Sequence, residues 1–130
     1  MSRTLFMFVT LALPLGLIGC GGSSDGPSVE VSLESDLQDL GGIYDLHTKQ
    51  MKRPPAKFDD LSAVSANPPV SATDGRLKVF WGTSLSASGT AILAHEATAT
   101  EKGGWVLLTD GKTVKKMTAE EFAATAKAKK

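Results

Sequence analysis

The sequence predicts an α+β domain: an N-terminal helix packed on a small antiparallel sheet of three or four strands, followed by a short C-terminal helix. Three observations carry this. Apolar positions recur at alternating spacings of four and three from Leu33 onward, the pattern of one helix face. After Asp74-Gly75 the chain turns to short apolar runs separated by turn residues, which reads as strands. Near the end, a Ser/Thr-x-x-Glu pattern opens a run rich in Ala and Lys, the signature of a helix start.

The chain has 130 residues, with 14 Lys+Arg against 14 Asp+Glu. That balance leaves no net charge to steer it toward nucleic acid, and no nucleic-acid partner is expected. One small domain of this size can bury a modest core without disulfides, and the single Cys permits no intrachain bridge.

Residues 1–19 read as a signal peptide. Met1-Ser2-Arg3-Thr4 is a short positive start, residues 5–15 form a nearly unbroken apolar run, and Pro14 and Gly16 loosen the end of that run. A membrane-spanning helix needs about 20 apolar residues, more than this run supplies.

The segment closes on Leu17-Ile18-Gly19-Cys20, which resembles the bacterial lipobox: an aliphatic residue, a tolerant position, a small residue and the Cys that becomes the new N-terminus. The resemblance implies diacylglyceryl transfer to the Cys20 sulfur, cleavage before Cys20 and often N-acylation, with palmitate-type chains. Several chains on one residue are what stable anchoring takes. The protein is thus expected at the cell envelope, lipid-anchored through Cys20 and facing the periplasm or exterior. Residues 20–30 are expected to be a tether, since Gly21-Gly22-Ser23-Ser24-Asp25-Gly26-Pro27-Ser28 holds no apolar side chain. Residues 31–130 are then the domain.

The first helix is expected to start with Ser32 as N-cap and to carry Leu33, Leu37, Leu40, Tyr44, His47 and Met51 on its inner face. Gly41-Gly42 in its middle predicts either a kink or very close packing, because each glycine costs about 1 kcal/mol against Ala in a helix interior. Pro54-Pro55 ends it. Phe58 and Leu61 frame one short helical turn, and residues 63–73 read as loop.

Leu77-Lys78-Val79-Phe80-Trp81, Ala91-Ile92-Leu93-Ala94-His95 and Trp105-Val106-Leu107-Leu108 are the expected strands. Asp110-Gly111 predicts a hairpin into Thr113-Val114-Lys115-Lys116-Met117, with both turn positions left-handed. Thr118 and Glu121 form the capping box of the last helix. Phe122 is its one large apolar anchor, and Lys127, Lys129 and Lys130 are expected in solvent on a fraying end.

This order of helix, Arg-Pro-Pro break, Phe-Asp-Asp-Leu turn and strands closing on Gly103-Gly104-Trp105-Val106-Leu107-Leu108-Thr109-Asp110-Gly111 resembles the soluble part of bacterial pilin-like, pseudopilin-like proteins. In particular it is similar to the group whose C-terminal region carries a His-x9-Asp-Gly motif. Here fourteen residues separate His95 from Asp110-Gly111. A lipobox also stands where pilins keep the apolar helix through which they polymerise, so the resemblance implies the fold and not a filament built by that route.

No residue pattern points to catalysis. Gly82-Thr83-Ser84-Leu85-Ser86 lacks the closing glycine of a nucleophile elbow. Adjacent carboxylates at Asp59-Asp60 and Glu120-Glu121 do not face each other on a helix and suit N-terminal turns instead. Gly103-Gly104 precedes a strand and lacks the Lys and hydroxyl of a phosphate loop. His47 and His95 are the only histidines, and with no second Cys no zinc signature exists. The expectation is a non-enzymatic envelope lipoprotein without metal or cofactor, acting on an envelope protein partner, with Trp81, Trp105 and the sheet face as the first contact surface. The alternative is a small-ligand or metal-binding lipoprotein using His47 and His95 with a carboxylate.

Overall fold

The computed structural model of the chain describes residues 28–129, so the segment expected as a signal peptide, Cys20 and most of the expected tether lie outside the described residues. α1 spans Ser28–Met51, starting four residues before the expected cap at Ser32. No Gly or Pro stands between positions 28 and 32 to stop it, so the helix takes in residues 28–30, which had been expected in the tether.

Leu33, Leu37, Leu40, Tyr44 and His47 are buried along one side of α1, whereas Met51 at its last turn is 42% exposed. Lys52 then adopts a left-handed backbone with φ 57°, and Pro54-Pro55 bars any continuation. The helix runs unbroken through both glycines. Close packing is the reason at Gly41, where a Cβ would overlap the carbonyl oxygen of Gly111.

Two turns of 3-10 helix, Phe58–Ala63 and Val70–Ala72, occupy the connection to the sheet. The first is the expected turn, with Leu61 buried against α1. The second falls in the segment expected as plain loop, and there Ser71 is fully buried.

The sheet has four strands in the order β1-β2-β3-β4, with β1 Leu77–Val79, β2 Ile92–Glu96, β3 Gly104–Leu108 and β4 Val114–Met117. All neighbours are antiparallel. Each strand pairs with the next one in the chain, the usual arrangement of consecutive elements. A short helix, α2 Ala99–Lys102, sits between β2 and β3 and was not anticipated; its C-cap Gly103 has φ 75°.

β1 is shorter than expected. The Phe80 N–H still donates to Leu93 at 2.8 Å, but Gly82, with φ 79°, turns the chain away and its N–H donates to Pro55 at 2.8 Å. The C-terminal segment takes the vacated place beside β2: Ile92 donates to Ala126 and Ala128 donates to Ile92, each at 2.8 Å. The end of the chain is therefore pinned and not frayed as far as Ala128, which is buried.

A register shift between Ile92 and Ala94 places Leu93 and Ala94 on the same side of the sheet, as a bulge does. That side packs under α1 in a cluster with Leu37, Leu40, Tyr44, Leu61, Leu77 and Leu107. On the other side Ile92, Val106, Leu108 and Met117 pack with Ala99 of α2 and Phe122 of α3. Full burial of a Leu such as Leu37 or Leu107 contributes about 2 kcal/mol by area.

α3 spans Ala119–Ala124 and opens with the expected capping box: the Glu121 N–H donates to Thr118 Oγ1 at 3.1 Å and the Thr118 N–H donates to Glu121 Oε2 at 2.9 Å. Between β3 and β4 the turn departs from expectation. Only Gly111 is left-handed, at φ 73°, and residues 109–113 form a five-residue loop. The Asp110 carboxylate accepts from the N–H groups of Lys112 (2.9 Å) and Thr113 (2.8 Å) and from the Thr113 hydroxyl. That side-chain turn replaces the second left-handed residue a two-residue hairpin would need.

Candidate functional site

Cys20, the expected lipidation site, lies outside the described residues. Among the described residues no helix is long and apolar enough to cross a membrane.

His47 and His95 are both buried but on different helices' territory. His47 is on α1, with Nδ1 3.2 Å from the Arg53 carbonyl. His95 is on β2 and packs edge-on to Phe122 of α3 at 4.7 Å between centroids, with Phe80 at 5.9 Å. α1 covers one side of the sheet and α3 the other, so the two imidazoles do not meet. Among the described residues no three His, Cys, Asp or Glu side chains are grouped to hold a metal ion.

His95 Nδ1 lies 2.7 Å from the Glu96 carbonyl, which can only accept, so Nδ1 carries the proton. Burial, aided by the charges of Lys127 and Lys78, pushes its pKa below the usual histidine value, against the opposing pull of the Glu96 bond. Lys127 itself departs from expectation. Its ammonium donates to the Phe122 and Thr125 carbonyls at the end of α3 and sits 4.4 Å from the centre of the Phe122 ring.

Tyr44 is buried and its hydroxyl donates to the Thr83 carbonyl at 2.7 Å; burial pushes its pKa up to about 12. It is a neutral strut and not an acid or base. Asp60 reaches back to accept the Ala56 N–H at 2.8 Å, with Arg53 at 3.6 Å. That bond, followed by the Arg53 charge, holds its carboxyl below the usual range.

The tryptophans do not form one surface. Trp81 stacks on Tyr44 at 6.3 Å, and Trp105 packs against the same α1-side cluster with Lys116 5.9 Å from its ring centre. In the antiparallel register Trp105 lies level with Glu96 and Leu77, while Trp81 lies past the far end of β1. The sheet face that carries both is the one α1 covers.

Open grooves are present on the surface of the described residues. One, of about 300 Å³, is lined by Ala56, Val79, Phe80, Trp81 and Ala128. It is apolar and carries no acid or base. Another, of about 320 Å³, lies between β4 and α3 and includes Lys115, Lys116, Glu121 and Thr125. Glu121 there is committed to the capping box, and the Thr125 hydroxyl donates to the Glu121 carbonyl at 2.7 Å.

The outer side of α1 is a feature the sequence reading passed over. Ser35, Asp39, Gly42, Leu46 and Lys49 are all exposed and repeat at spacings of four and three. The signal was present as a second stripe out of phase with the core stripe. It was hidden by its mixed polarity.

No protein-family model, curated protein or solved structure matches the chain.

Proposed function

We propose that this chain is a lipid-anchored protein of the bacterial cell envelope, held to the membrane through acyl chains on Cys20. Its pilin-like α+β domain serves as a non-enzymatic interaction or assembly module for an envelope partner. The observation that carries the anchor is the run of a charged start, an apolar stretch, Leu17-Ile18-Gly19-Cys20 and a Gly/Ser-rich segment, in that order.

The architecture supports the domain half of this reading. A long helix followed by an antiparallel meander is the order the pilin comparison implies. The side chains richest in chemistry are already engaged in the fold: His95 with Glu96, Tyr44 with Thr83, Asp110 with its own turn. A ligand site built on His47 and His95 has less support, because the two pack on opposite sides of the sheet.

The test is the intact mass of the protein purified from a bacterial envelope. Loss of residues 1–19 and a gain of at least one diacylglyceryl group on Cys20 are expected. An unmodified Cys20 overturns the proposal.

A further inference from the structure

α1 has an outer stripe that nothing in the described chain covers. Ser35, Asp39, Gly42, Leu46 and Lys49 lie on the side opposite Leu37, Leu40 and Tyr44, and all five are exposed. Gly42 is the anomaly. A glycine weakens a helix interior relative to alanine, and whereas Gly41 has the Gly111 carbonyl against it, a Cβ at Gly42 would meet nothing within 4 Å. One turn further on, Leu46 is 40% exposed. A missing side chain beside a protruding leucine is a hole next to a knob.

We propose that this stripe is the contact face of a symmetric antiparallel pairing of α1 with α1 of a second copy of the chain, with Leu46 of each copy seated over Gly42 of the other. The charge pattern selects both the partner and the direction. Reversing the helix about position 44 sets Gly42 opposite Leu46, Asp39 opposite Lys49 and Gln38 opposite Gln50. A parallel pairing would set Asp39 on Asp39 and Lys49 on Lys49. The stripe is its own complement in one direction only, which is what a two-fold interface requires.

Lys49 is poised for this contact. Its ammonium is held by Asp45 at 2.6 Å while its side chain stays 69% exposed, so it can meet a second carboxylate without leaving the first. A single helix pair buries little area, so the association is weak in dilute solution and gains when both copies are confined to one surface. The inference goes beyond the anchored-module reading and does not depend on it, since the stripe is there whether or not Cys20 is acylated.

The test is sedimentation equilibrium of the intact chain, in density-matched detergent if it partitions there and in buffer if it does not. Wild type is expected to show a monomer–dimer equilibrium. Gly42→Gln is expected to be monomeric with unchanged circular dichroism, because position 42 is exposed and a Cβ there meets nothing within 4 Å. Asp39→Lys is expected to weaken the dimer at least about tenfold through like-charge contact, and Asp39→Lys with Lys49→Asp to restore it. A wild type that stays monomeric at every concentration, a Gly42→Gln variant as dimeric as wild type, or a double variant no tighter than Asp39→Lys would each overturn the proposal.

Discussion

Gly41 of α1 lies against the backbone of Gly111, so close that a Cβ at position 41 would overlap the Gly111 carbonyl oxygen and press on Leu107 Cδ1. This contact sets how near the helix approaches the β3–β4 loop. The neighbouring glycine has no such duty, which makes the pair a controlled comparison. Gly41→Ala is expected to destabilise the fold by about 1–3 kcal/mol, the range for overpacking a core. Gly42→Ala is expected to stabilise it by up to about 1 kcal/mol through helix propensity. Urea unfolding of the two variants beside wild type checks both signs, and equal midpoints would contradict the packing argument.

The Asp110 carboxylate holds three donors of its own loop. Burial alone would raise its pKa, but the Thr113 and Lys112 bonds hold it below the usual range. A carboxyl depressed in the folded state contributes stability above its unfolded value and loses that contribution as pH falls through the folded one. Asp110→Ala is expected to cost about 1–2 kcal/mol at neutral pH and to flatten the decline of stability below pH ~4. Chemical denaturation at two pH values reads both effects.

Several elements were legible because their signal is local. The stripe of Leu33, Leu37, Leu40 and Tyr44 named the buried side of α1, and Thr118 with Glu121 named the start of α3. What the sequence left hidden depends on contacts made at a distance. Nothing local shows that β1 gives way after Val79 and that residues 126–128 pair with Ile92 where it would have continued. Likewise Lys127 looked like a solvated tail residue, yet it closes the end of α3 because Phe122 and two carbonyls converge on it. Asp110-Gly111 gave the right turn at the wrong length, since a carboxylate can organise a five-residue loop that a short hairpin rule does not foresee. The expected contact surface did not form as one patch, because Trp81 lies past the end of β1 while Trp105 lies level with Leu77 at its start.

His95 predicts a pH dependence of stability. Its pKa is lowered by burial between Phe80 and Phe122 and by the nearby charges of Lys127 and Lys78. Above the unfolded value of about 6.5 both states are neutral. Below it the unfolded chain takes up a proton that the folded chain refuses, so stability falls with pH until the folded value is reached. His95→Phe keeps a ring between its neighbours and removes the titration. Urea midpoints between pH 7.5 and 5.5 (~1 unit either side of the unfolded value) are expected to fall less for the variant than for wild type. Parallel curves would contradict the assignment.

Detergent phase partitioning of the native protein beside Cys20→Ser asks whether lipid on Cys20 holds the domain to a membrane. Wild type, shortened by residues 1–19, is expected to enter the detergent phase, and Cys20→Ser is not expected to enter it as a shortened acylated species. Wild type and variant cleaved at a common site and found together in the aqueous phase would contradict such an anchor.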